Sequence, residues 1–407
     1  MSKRHIGFTL VFLIMLILLV YWLFPRQDQT KINGLQQTID KLVSSKVYRL
    51  KIDSEDPNTY IASQMEICFK TGGKDSCYKD IANLFYYQFG LRVILDLFQK
   101  NENTVAVFAR CHEVTHYLSR MEYQNSQNIA KVYDICTSVC HGGCYHGTIE
   151  QYMKDKNLPL GVADAQKIKS EIPKICGKLE DYKTPILFDE CVHGIGHGAM
   201  FVTDGELPQA LKICDNLTTQ REIDSCYSGV FMENSSSSTS TDHPGKYVKK
   251  ADPMYPCNSL EPKYLPLCYR YQSSYFAQIT KNNWIETAKL CLAVPQAYQS
   301  GCFQTIGTNQ VGFTQDMKQM IYDCSLMPTD EYRTICLQGI VISLAGRYRG
   351  ESQKIIDLCN KVNDNFKSAC FKQMGTSINS WSTNPNDIKS HCNLIQDQKY
   401  IKWCQQV

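Results

Sequence analysis

Ten cysteines recur along the chain at close to one interval. Cys77, Cys111, Cys144, Cys191, Cys226, Cys268, Cys302, Cys336, Cys370 and Cys404 are 34, 33, 47, 35, 42, 34, 34, 34 and 34 residues apart. Self-similarity at a fixed period of this length marks a repeat array, and the two long gaps read as one period plus an insertion. A second set runs 8 to 15 residues ahead of the first: Cys68, Cys136, Cys176, Cys214, Cys257, Cys291, Cys324, Cys359 and Cys392. Each is expected to bridge to the ladder cysteine that follows it, from Cys68–Cys77 to Cys392–Cys404. That leaves Cys111 for Cys140, with the pairing inside the Cys136/Cys140/Cys144 cluster open.

The unit between the cysteines reads as a helical hairpin. Ile285 to Cys291 looks like the end of one helix, Val294-Pro295 breaks it, and Gln296 to Gly307 resumes with apolar residues at helical spacing. About 34 residues hold two helices of three to four turns and two short turns. Sustained alternation of period two, the mark of strands, is absent. One such hairpin buries too little surface to stand alone, so neighbours must stack. The expected fold is all-α: an α-solenoid of about ten disulfide-stapled hairpins.

Twenty cysteines in an even count fit an oxidising compartment, because a reducing cytosol would leave them as thiols. The N-terminus agrees. Lys3 and Arg4 precede an uncharged apolar run over 7–24, near the lower limit for a membrane-spanning helix, with the basic side expected in the cytoplasm. No small-x-small cleavage pattern follows, which favours an uncleaved anchor over a cleaved signal peptide. The expected organisation is a cytoplasmic N-terminus (1–6), a transmembrane anchor (7–24), a polar stalk (25–54), N-terminal repeats (55–235), a Ser/Thr-rich loop (236–256) and C-terminal repeats (257–407). The bulk of the chain is placed outside the cytoplasm. A formal net charge of +3 gives no basic face for nucleic acid.

The period and hairpin pattern over roughly 55–407 resemble the tetratricopeptide class, and the local bridges look like those of secreted bacterial cysteine-rich helical-repeat proteins. The resemblance implies an α-solenoid that binds a protein or peptide on its concave face. It carries over no catalytic residue.

Six of the nine histidines lie between 112 and 197, around three consecutive ladder cysteines. The segments are Cys111-His-Glu-Val-Thr-His116, His141-Gly-Gly-Cys144-Tyr-His-Gly-Thr-Ile-Glu150 and Cys191-Val-His-Gly-Ile-Gly-His197. His112/His116, His146/Glu150 and His193/His197 are each four apart and so share a helix face. Neighbouring helices of a stack lie close enough for their side chains to reach one ion between them. The candidate ligands are His112, His116, His141, His146, Glu150, His193 and His197, and the donor set suits zinc, iron, manganese or copper. Glu113, Glu150 and Glu233 are the candidate proton carriers. His112-Glu-Val-Thr-His116 also matches the H-E-x-x-H zinc-peptidase string, with Glu113 as its base. The rival to a metal site is an interaction scaffold in the cell envelope whose histidines are structural.

Overall fold

A computed structural model describes residues 56–137, 139–156, 175–182, 184–236, 245–348, 351–382 and 384–406. The expected cytoplasmic terminus, anchor and stalk lie outside the described residues. Among the described residues no helix is long and apolar enough to cross a membrane.

The described chain is all-helical, with seventeen α-helices and no strand. In order these are α1 Pro57–Lys70, α2 Asp75–Lys100, α3 Val105–Ser126, α4 Ile129–Tyr133, α5 Gly143–Asp155, α6 Pro185–Val202, α7 Leu207–Cys214, α8 Gln220–Ser236 and α9 Leu265–Ile279. Then come α10 Trp284–Ala293, α11 Gln296–Phe313, α12 Met317–Ser325, α13 Asp330–Arg347, α14 Ser352–Lys361, α15 Asp364–Trp381, α16 Pro385–Cys392 and α17 Gln398–Cys404.

Local chemistry sets these boundaries. The Asn283 and Asp316 side chains accept from the backbone N–H of Glu286 and Lys318, and so cap α10 and α12. Thr329 does the same for α13 by accepting from Tyr332 N. Pro295, which has no N–H to give to α10, becomes the cap residue of α11. Along α13 the buried apolar side chains are Cys336, Leu337, Ile340, Val341, Leu344 and Ala345, one stripe at helical spacing.

Ten disulfides hold the hairpins. Nine join residues 8 to 15 apart, from Cys68–Cys77 to Cys392–Cys404, and the tenth joins Cys111 to Cys140. No cysteine is free. That many bridges point to an oxidising, extracytoplasmic setting.

The helices α3, α5, α6, α8, α9, α11, α13, α15 and α17 pack each against the next in chain order. Between successive members an aromatic one residue after a ladder cysteine stacks on one four residues before the next. Tyr269–Tyr298, Phe303–Tyr332 and Phe371–Tyr400 have centroids 5.5, 4.0 and 4.9 Å apart. The row also returns on itself. Helix α15 packs on α6 and α11 on α3. Glu102, between α2 and α3, receives Lys354 Nζ at 3.1 Å and Tyr348 OH at 3.3 Å, and its carbonyl accepts from Gln315 Nε2 at 2.6 Å.

Asp215 ties α7 to the next unit. It accepts from Tyr227 OH, from Tyr264 OH at 2.8 Å and from Lys263 Nζ at 2.7 Å. Burial pushes its carboxyl up, but the hydrogen bonds from Lys263, Tyr227 and Tyr264 outweigh that and leave it below the ordinary aspartate value. A depressed carboxylate contributes stability above its unfolded pKa, near 3.9, and loses it as pH falls through the folded value. Asp215→Asn is therefore expected to cost about 2 kcal/mol at neutral pH, the scale of hydrogen bonds to a charged group. In urea titrations its deficit against the parent chain should shrink as pH drops below about 4. An equal deficit at pH 7 and pH 3 would show that the charge is not what matters.

Candidate metal centre

Four consecutive members of the row build the centre. Helix α3 carries His112, His116 and Arg120, α5 carries His146 and Glu150, α6 carries Glu190, His193 and His197, and α8 carries Ser228 and Glu233. Within α3, α5 and α6 the spacing of three or four residues puts these side chains on one face.

The outer ring nitrogens are held by acceptors. His112 Nδ1 lies 2.8 Å from Cys140 O, a carbonyl that only accepts, so Nδ1 carries the proton. His116 Nδ1 lies 3.0 Å from Glu150 Oε1. His197 Nδ1 lies 2.8 Å from Glu233 Oε2. His193 Nδ1 lies 2.6 Å from Ser228 Oγ, and that hydroxyl spends its proton on Ser225 O at 2.6 Å, so it accepts from the histidine. With Nδ1 as the proton-bearing nitrogen, each ring in its neutral form presents Nε2 as a lone pair.

Those lone pairs face each other. Nε2 of His112 and His116 are 3.1 Å apart, and so are Nε2 of His193 and His197. At that distance two unprotonated nitrogens repel unless a cation joins them. Two imidazoles about 2.1 Å from one ion, at angles between square and tetrahedral, have nitrogens about 3.0–3.4 Å apart. A shared proton is the other way to join such a pair, and on His193 itself burial, and then the neighbouring His197, oppose it.

His146 sits between the pairs. Its ring is stacked on His197 at 4.5 Å and lies 5.0 Å from His193 and 5.5 Å from both His112 and His116. It is 2 % exposed, and neither ring nitrogen makes a hydrogen bond. Glu190 Oε2 is 3.4 Å from its Nε2 without hydrogen-bond geometry. Burial first, then the surrounding histidines, keep His146 far below the usual imidazole pKa and so neutral. Ligand atoms of His112, His116 and His146 lie within 4.8 Å of one another, and so do those of His146, His193 and His197.

The carboxylates stand behind the rings. Glu150 takes Arg120 Nε at 2.8 Å and Nη2 on Oε2, besides His116 on Oε1. Burial pushes Glu150 up, but Arg120 and His116 pull it well below the usual carboxylate range. Glu233 is likewise pushed up by burial and brought below its ordinary value chiefly by His197. Both are therefore anionic acceptors that fix the tautomers of the rings in front of them, the outer support typical of metal-bound histidine. Glu113 turns to Arg110, 2.6 Å from Nη2, and lies outside both ligand groups.

The structure thus brings together five of the seven sequence-picked ligands: His112, His116, His146, His193 and His197. Glu150 is placed one step back as an acceptor, and the side chain of His141 lies outside the described residues. Sequence reasoning missed Arg120, Glu190 and Cys140 O as partners. Arg120 had a signal, since it stands four residues after His116 and shares its face. Ser228 occupies the alignment column of His193 one repeat later, which is why it meets His193 across the helix contact.

Close helix contact makes these meetings possible. Gly196 of α6 packs against Cys226 O of α8, and Gly229 of α8 against His193 O of α6. A Cβ on either would fall inside 3.0 Å of the opposing carbonyl. The same interlock joins α11 to α13 through Gly307 and Gly339, which face Cys336 O and Gln304 O.

Comparison with known proteins gives no match: no family model, curated protein or solved structure is similar enough to place the chain.

Proposed function

We propose that the chain is an extracytoplasmic metal-binding protein, a solenoid of stapled hairpins anchored through residues 7–24, that holds a transition metal at the histidine centre. One observation carries this reading. Four buried or half-buried imidazoles turn Nδ1 to outer acceptors and Nε2 toward each other, in two pairs 3.1 Å apart. An all-imidazole donor set favours zinc or copper, with iron or manganese more dependent on added carboxylate oxygens. When bound, such an ion supplies Lewis acidity or electron transfer. The chain's own part is to orient the rings and exclude bulk water. Of the three candidate carboxylates, Glu113 and Glu150 are engaged by arginines, while Glu233 is 35 % exposed beside His197. Glu233 is therefore the group suited to carry a proton between the centre and solvent.

The test is elemental mass spectrometry on the full chain purified from an oxidising compartment. The parent is expected to hold metal in stoichiometric amount, and His193→Ala/His197→Ala is expected to lose at least half of it while keeping its helical circular dichroism. No metal in the parent, even after loading with zinc, copper, iron and manganese in turn, would refute the reading.

A further inference from the structure

The structure assigns two metal positions rather than one, with His146 bridging them through its two ring nitrogens. This rests on the metal-binding reading above and extends it.

The two groups of three ligand atoms share a single member, His146. The other two members of each group are an i, i+4 pair on one helix: His112/His116 on α3 and His193/His197 on α6. Each pair has the nitrogen separation of two ligands on one ion. Both pairs adjoin the His146 ring, which is carried by the helix packed between α3 and α6, and His116 and His197 approach each other to 5.9 Å beside it.

His146 also breaks the pattern of the other four. Each of them has Nδ1 tied outward and Nε2 turned to its pair-mate 3.1 Å away. His146 has neither nitrogen hydrogen-bonded, although the ring is almost wholly buried. A neutral imidazole carries one N–H, and a buried N–H without an acceptor is costly. A terminal ligand would use one nitrogen and leave the other without a hydrogen bond as placed, since Glu190 Oε2, 3.4 Å from Nε2, lies outside hydrogen-bond geometry. A bridging ring uses both and strands none. On loading, the remaining ring proton leaves to solvent and the imidazolate binds one ion at each nitrogen. Each ion then has three imidazole donors, and its remaining positions are open to water, Glu190 or a substrate. Three protein ligands with an open position is the pattern of reactive rather than purely structural sites.

Copper(II) is the probe, because two copper(II) ions joined by an imidazolate couple magnetically. The full chain is titrated with copper(II), freed of excess metal, and read by elemental mass spectrometry and electron paramagnetic resonance. The expected result is two copper ions per chain with an integrated resonance intensity well below two spins. His112→Ala/His116→Ala should keep one ion at full single-spin intensity. His146→Gln should restore full intensity for whatever copper remains, and circular dichroism with a free-thiol assay confirms that each variant is folded and bridged. Two ions at full intensity in the parent would overturn the bridge. One ion per chain would overturn the pair and leave the metal-binding reading standing. No bound copper, zinc, iron or manganese would overturn both.

Discussion

Gly229→Ala, a change that ordinarily stabilises a helix, is expected here to destabilise the protein and loosen the metal centre. Replacing a mid-helix glycine by alanine typically gains up to about 1 kcal/mol. At Gly229 the new methyl would collide with His193 O, a backbone atom that cannot swing aside. Overpacking of this kind costs about 1–3 kcal/mol and is relieved only by moving α8 away from α6. That movement lengthens the contacts of His193 Nδ1 with Ser228 and of His197 Nδ1 with Glu233, now 2.6 and 2.8 Å. Loss of such outer partners usually weakens metal binding about 10- to 100-fold. Two controls separate the effects. Gly307→Ala meets Cys336 O in the same way but lies in the α11–α13 contact, so it should destabilise without touching metal affinity. Gly312→Ala, on the same helix as Gly307, meets nothing within 4 Å and should be neutral or slightly stabilising. All three results are expected together, read by denaturation midpoints and competitive metal titration. Unchanged metal affinity in Gly229→Ala would break the proposed link between helix approach and ring orientation.

Those glycines show what the sequence makes legible and what it hides. Their two columns, three and five residues after the ladder cysteine, are visible in the chain, but their meaning is not. A glycine at +5 on one helix interlocks with one at +3 on the next, as Gly196 does with Gly229 and Gly307 with Gly339. Only a three-dimensional contact reveals that. The helical hairpins were readable because proline, capping residues and apolar spacing act locally. The disulfides were readable because the spacing of the two ladders pairs near neighbours. The same-face histidine pairs were readable for the same local reason. The division of labour between Glu150 and the rings was not, because it depends on Arg120 of α3 meeting Glu150 of α5 across a helix contact between residues 30 apart. The return of the row onto itself was equally hidden. Glu102 meets Lys354 and Tyr348 across about 250 residues, and no pattern within one repeat announces such a contact.

Complete reduction of the ten disulfides is expected to abolish the helical fold at room temperature, the largest effect of any treatment considered. On the chain-entropy model a bridge closing about 12 residues contributes about 3 kcal/mol. Ten such bridges exceed the whole net stability of an ordinary domain, about 5–15 kcal/mol. The hairpins themselves are short. Helices such as α7, α16 and α17 have 8, 8 and 7 residues, below the length at which an isolated helix persists in water. They are held by a cysteine at or near one end and by their neighbours. A strong thiol reductant with a chelator should therefore collapse the far-ultraviolet helix signal as free thiols rise. A fully reduced, alkylated chain that kept its helix signal would show the bridges to be incidental. The bridges should also differ in kind. Cys291→Ser/Cys302→Ser opens a scaffold hairpin and should lower stability with metal binding intact. Cys111→Ser/Cys140→Ser should do the reverse in emphasis. Cys140 holds a left-handed φ of 56°, a conformation that non-glycine residues adopt only when their surroundings enforce it, and its carbonyl fixes the tautomer of His112. With the bridge gone, that turn is free to relax, the carbonyl leaves His112, and the α3 half of the centre should lose its metal before the protein loses its fold.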